Sequence, residues 1–183
     1  MFLWFVDEKV NLSSSLAAVW ENKMNIFDYA MQMEAESQNY YRNLAEKTEY
    51  KGLKTIFNML ADEEEKHYKI VKEIKMKRPG KIMGTGILQD AKAVFRQMAD
   101  SEKFDFEDEQ LTLYKKAQDI ETKSSAFYLQ KADEVENDLQ KEIFRKLAKE
   151  EEKHYFLLQN IIDFVSRPKS WLENAEWYHL EEY

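Results

Sequence analysis

Phe57-Asn-Met-Leu-Ala-Asp-Glu-Glu-Glu-Lys-His-Tyr68 returns later in the chain as Phe144-Arg-Lys-Leu-Ala-Lys-Glu-Glu-Glu-Lys-His-Tyr155. The match extends outward without a gap. Residues 29–75 align with 116–162 at a constant offset of 87, and 18 of the 47 pairs are identical, which identifies an internal repeat. Upstream in each copy, Glu34 pairs with Glu121 and Tyr41 with Tyr128.

Apolar spacing gives each copy two helices. They are expected at about 25–48 and 51–77, and at about 106–134 and 137–166. Only short turns, around Tyr50-Lys51-Gly52 and Glu136-Asn137-Asp138, separate the members of each pair, so each copy is an antiparallel hairpin. Residues 78–105 form a long crossover between the hairpins. Within it, Ile87, Ala91, Val94 and Met98 fall on one side of a further short helix. The expected fold is all-α, a ferritin-like four-helix bundle of two repeated hairpins joined by one long crossover. The bundle spans 25–167, with an extension of uncertain structure at 1–24 and a tail at 168–183.

Composition agrees with long amphipathic helices. Charged residues are 34% and hydrophobic ones 44%, with four glycines and two prolines in the whole chain, so few positions interrupt a helix. There is no cysteine, which excludes disulfides, thiolate metal sites and iron–sulfur centres. A net charge of −8 argues against nucleic acid as a partner. The basic residues Lys72, Lys75, Lys77, Arg78 and Lys81 read as a helix C-terminus favoured by the macrodipole. The opening Met1-Phe-Leu-Trp-Phe-Val6 lacks a basic leader and no apolar run approaches a membrane span, so a cytoplasmic protein without membrane contact is expected.

Charged residues stand on the wrong face. Glu34 lies in the apolar stripe of Phe27, Ala30, Met31, Ser37, Tyr41, Leu44 and Ala45. Glu64 and His67 share a face with Ile56, Phe57, Leu60, Val71 and Ile74. Glu121 lies among Leu113, Ala117, Ser124 and Tyr128, and Glu151 and His154 lie among Ile143, Phe144, Leu147, Leu158 and Ile161. Four carboxylates and two imidazoles would meet in one core with no lysine or arginine in the stripes. Unpaired, each would cost several kcal/mol, on the order of the penalty for any buried ion. Two divalent cations balance four glutamates, and this oxygen and imidazole set suits iron or manganese, and also zinc. Glu34, Glu64, His67, Glu121, Glu151 and His154 are therefore the candidate metal ligands. The flanking Glu63, Glu65, Glu150 and Glu152 read as a solvated face, and His179 as ordinary surface. Tyr41 and Tyr128, about two turns after the upstream glutamates, are candidates to hydrogen-bond a ligand carboxylate.

This arrangement, a Glu with Tyr seven residues on and then Glu-x-x-His, stated twice, resembles the rubrerythrin and ferritin-like di-iron carboxylate proteins over about residues 25–166. The resemblance implies two iron ions. Glu34 and His67 would bind one, Glu121 and His154 the other, and Glu64 and Glu151 would bridge them. It implies reduction of hydrogen peroxide, or dioxygen, with electrons from a rubredoxin-type carrier. The family's rubredoxin domain has no counterpart in 168–183, so the donor is expected to be external. Many rubrerythrins carry a further Glu where this chain has Ser124, so six ligands are expected rather than seven, closer to bacterioferritin-type and simple oxidase sites. Non-catalytic iron binding or storage, and a metal-stabilised sensor or scaffold, are the alternatives. A homodimer is permitted by the helical faces.

Overall fold

A computed structural model describes residues 25–78, 84–101 and 108–166. The extension before 25, the tail after 166, Lys81, Pro168 and His179 lie outside the described residues. Five helices follow in order: α1 Ile26–Lys47, α2 Lys51–Lys75, α3 Ile87–Ser101, α4 Asp108–Glu134 and α5 Asp138–Ser166. The four long ones form the two expected hairpins, and α3 is the expected crossover helix. No helix among the described residues is long and apolar enough to cross a membrane.

Local chemistry sets the helix ends. Asn25 caps α1, its side chain accepting from the Phe27 amide at 2.9 Å. Asn137 does the same for α5, accepting from the Gln140 amide at 3.0 Å. At the end of α2, Lys77 takes a left-handed conformation with φ 55°. The Arg78 amide donates to the Glu73 carbonyl at 3.0 Å and the Lys77 amide to the Ile74 carbonyl at 2.9 Å, a Schellman closure. Lys72 and Lys75 stand in this last turn, where the macrodipole favours cations, and Lys75 also pairs with Asp28 on α1.

Side-chain contacts fix how the hairpins face each other. Tyr40, late in α1, donates to the Leu113 carbonyl early in α4 at 2.9 Å. Tyr29, early in α1, packs on Phe127 late in α4, with ring centroids 5.0 Å apart. The two helices therefore run antiparallel. Phe57 and Tyr114, both early in their helices, lie 5.2 Å apart, so α2 and α4 run in the same direction. The crossover must then travel back along the bundle, which is why it needs its length. Helix α3 packs on α2 and α5.

The core is in two parts. Tyr41, Leu44, Leu53, Ile56, Phe57, Leu60, Leu157, Leu158 and Ile161 form one apolar cluster together with Ile87, Ala91, Phe95 and Met98 of α3. Ala30, Met33, Val71, Ile74, Tyr128, Ile143, Phe144 and Leu147 form the other. Each fully buried large side chain contributes about 1.5–3 kcal/mol. On α4, Ala117, Ser124 and Tyr128 are buried as expected, Tyr114 joins them, and Leu113 packs half-buried against the core.

Candidate metal centre

The six side chains singled out by the repeat belong to neither apolar cluster, and all are buried: Glu34, Glu64, His67, Glu121, Glu151 and His154 are each at most 1% exposed. Helical spacing places Glu64 and His67 one turn apart on α2, and Glu151 and His154 one turn apart on α5. Glu34 on α1 and Glu121 on α4 come from the first helix of each hairpin.

The atoms converge as two overlapping groups. One comprises Glu34, Glu64, His67 and Glu151, the other Glu64, Glu121, Glu151 and His154, and in each the ligand atoms lie within 4.8 Å of one another. Glu64 and Glu151 belong to both. His67 Nδ1 is 3.0 Å from Glu151 Oε1, 3.7 Å from Glu64 Oε2 and 3.8 Å from Glu34 Oε2. His154 Nδ1 is 2.9 Å from Glu64 Oε1, 3.7 Å from Glu121 Oε2 and 3.8 Å from Glu151 Oε2. Each histidine thus makes its shortest contact with the glutamate of the opposite hairpin. The imidazole rings stack at 5.4 Å with planes 17° apart.

These contacts are close without hydrogen-bond geometry. Both oxygens of Glu64 and of Glu151, Glu121 Oε2 and the Nδ1 atoms of both histidines are buried with no hydrogen-bond partner. Orphaned buried polar atoms are costly and call for an explanation. Donor atoms aimed at common points, rather than at each other, fit cations between them. The donor set is four carboxylates and two imidazoles, which matches two divalent ions in charge and chemistry.

One oxygen each of Glu121 and Glu34 is held by a tyrosine. Tyr41 donates to Glu121 Oε1 and Tyr128 to Glu34 Oε1. Both bonds cross between hairpins. Each tyrosine serves the upstream glutamate of the other copy, not the one two turns before it. Burial, then the neighbouring carboxylates, push both phenols well above their usual range, so they remain donors.

Without cations, protons must neutralise the cluster. Burial and the charges of Glu151 and Glu64 raise Glu34 well above the usual carboxylate range. Burial and the charges of Glu64 and Glu121 do the same to Glu151. Burial opposes ionisation of Glu64 as well, but His154 and His67 outweigh it and hold that group low. Burial works against the imidazolium ions too, yet the carboxylates around them raise His67 to about 9 and His154 to about 10.

One expectation is corrected. Glu63 and Glu150 are not on a solvated face; they are 7% and 4% exposed. Each is offset by a lysine one turn on, Lys66 at 2.7 Å and Lys153 at 2.8 Å. Glu150 also accepts from the Thr85 hydroxyl at 2.8 Å, because the residues just ahead of α3 lie over it. The recurring Glu-x-x-Lys spacing was visible in both copies, but the course of the crossover was not. Glu152 is exposed and Glu65 half-buried, closer to expectation.

The comparisons with known proteins agree with this geometry. The family model described as Rubrerythrin matches residues 25–162. The solved structure of a hypothetical protein from Pyrococcus furiosus is similar, with a TM-score of 0.57 and 23% identity, over 84% of this chain and 91% of that one, a likeness of fold alone. No curated protein matches. With a repeated Glu and Glu-x-x-His set gathered in the core of a four-helix bundle, and a family model matched along most of its length, the chain belongs to the rubrerythrin family.

Proposed function

We propose that the chain is a di-iron oxidoreductase that reduces hydrogen peroxide, or dioxygen, using electrons from an external carrier such as a rubredoxin-type protein. The observation that carries this reading is the membership of Glu64 and Glu151 in both four-ligand groups. Two carboxylates shared in this way would hold two cations close enough to act on one small oxidant. Glu34 with His67, and Glu121 with His154, would complete the two sites. Iron bound there supplies Lewis acidity and one electron per ion.

The chain's own groups have separable tasks. Tyr41 and Tyr128 orient the terminal carboxylates through their hydroxyls. The apolar clusters above and below the ligand layer exclude bulk water, which strengthens every charge interaction within it. Conversion of peroxide to two waters consumes two electrons and two protons. These 183 residues hold no cysteine, so none of them binds iron through a thiolate.

Stopped-flow oxidation of the ferrous-loaded protein by hydrogen peroxide is the test. Peroxide should oxidise it much faster than it oxidises free ferrous ion, with one peroxide consumed per two irons. Tight binding of two irons without acceleration, by peroxide or by dioxygen, would make the protein an iron store or a metal-stabilised scaffold instead.

A further inference from the structure

The two hairpins treat one pair of equivalent glutamates differently. Glu63 immediately precedes the ligand Glu64 and lies one turn before His67; Glu150 stands in the same relation to Glu151 and His154. Both carboxylates are at the margin of the ligand layer, with side chains 10% and 6% exposed. Every oxygen of Glu150 is engaged. Lys153 Nζ donates to Oε1 at 2.8 Å and to Oε2 at 3.0 Å, and Thr85 Oγ1 donates to Oε2 at 2.8 Å. Among the described residues Glu63 has one partner, Lys66 Nζ on Oε1 at 2.7 Å, and its Oε2 is buried with no hydrogen-bond partner. Lys66 is 59% exposed, so its ion pair is weak and easily displaced.

We propose that Glu63 is a transit ligand through which divalent cations enter the six-ligand centre, and that Thr85 and Lys153 close the equivalent route at Glu150. The inference rests on the reading of that centre as a two-cation site. A cation reaching the ligand layer must exchange its water for protein oxygens while still partly solvated. A carboxylate with one oxygen held only by an exposed lysine and the other unpaired, one residue from a shared ligand, offers that exchange. Glu150 would have to break contacts with two partners first. Glu63 is not needed to hold the ions once they arrive, because four ligand atoms already gather at each position without it.

The rate of Co²⁺ uptake by the metal-free protein, followed by stopped-flow absorbance, tests this. Glu63→Gln should slow uptake by about tenfold or more, the lower end of what a single-sign entry path contributes to an association rate. The final stoichiometry should remain two ions per chain. Glu150→Gln, which removes the same charge, should load within about twofold of the parent, since its carboxylate is already engaged. Lys66→Ala, which frees the Glu63 carboxylate, should load at least as fast as the parent. Uptake by Glu63→Gln at the parental rate, equal slowing by both Gln variants, or a loss of stoichiometry in Glu63→Gln would each overturn the transit role. If the parent itself fails to take up two ions, the two-cation reading fails, and the transit role with it.

Discussion

The hairpins α1–α2 and α4–α5 share a ligand set and differ in what covers them. In the first, α2 begins Lys51-Gly-Leu, and Met98 of α3 lies against Gly52. A Cβ added at Gly52 would run into Cγ and Sδ of Met98. In the second, the equivalent residue is Leu139, which is 49% exposed. Leu53 is fully buried, whereas its counterpart Gln140 is only half-buried. The ligand layer is close to two-fold symmetric and the surroundings are not. The requirement for four carboxylates and two imidazoles at the centre keeps the halves alike there. The single crossover can lie over only one of the two hairpin ends, and it breaks the likeness outside the centre.

The largest effect should come from testing the symmetry of the centre itself. Glu64→Ala and Glu151→Ala each remove a side chain common to both ligand groups. Metal analysis after dialysis should find both ions lost in either variant. Glu34→Ala and Glu121→Ala should each reduce the content to about one ion, in equal measure. Unequal losses between Glu34 and Glu121 would show that the asymmetric surroundings reach the ligands.

A pH series should give the next largest effect. In the metal-free protein the surrounding carboxylates raise His67 to about 9 and His154 to about 10, and burial with neighbouring carboxylates raises Glu34 and Glu151. Cations must expel these protons, so loading should release protons near neutral pH and affinity should rise with pH. A change on the order of tenfold per pH unit follows for each proton displaced. Stability of the metal-free fold should run the other way. Its raised groups hold protons that the unfolded chain has released. The two glutamates therefore lose stability as pH rises above the unfolded carboxylate range, and the histidines as pH rises through about 9 and about 10. Calorimetric titration in buffers of different ionisation heat, with thermal melts of both forms, checks the two opposite slopes.

The smallest effect lies at the covered end. Gly52→Leu should destabilise the fold by about 1–3 kcal/mol through overpacking against Met98. Leu139→Gly should cost about 1 kcal/mol or less, mainly from lost helix propensity at an exposed site. Pairing Gly52→Leu with Met98→Ala should recover part of the loss in denaturant melts. Equal costs at positions 52 and 139 would mean that α3 does not pack on α2 as described.

Much of the fold was legible because its signal is local. The helix bounds follow from apolar period, and the repeat states the hairpin twice. The same period that defines the core face exposed the six ligands as anomalies on it. What escaped the sequence was nonlocal. Glu63 and Glu150 looked like members of exposed Glu-Glu-Glu runs, because nothing in their own helices says that the crossover passes over Glu150.

The sequence by itself determined that two equivalent triads, Glu34, Glu64, His67 and Glu121, Glu151, His154, stand on helix faces that must be buried. Helical periodicity and the cost of burying charge suffice for that. Only the tertiary structure decided which triad member meets which. Contacts between helices depend on how whole hairpins dock, not on spacing within one. The antiparallel docking of α1 on α4 sends Tyr41 to Glu121 and Tyr128 to Glu34, and the facing of α2 and α5 brings Glu64 to His154 and Glu151 to His67. The two triads are thereby interlocked into one six-ligand centre rather than standing as two separate sites.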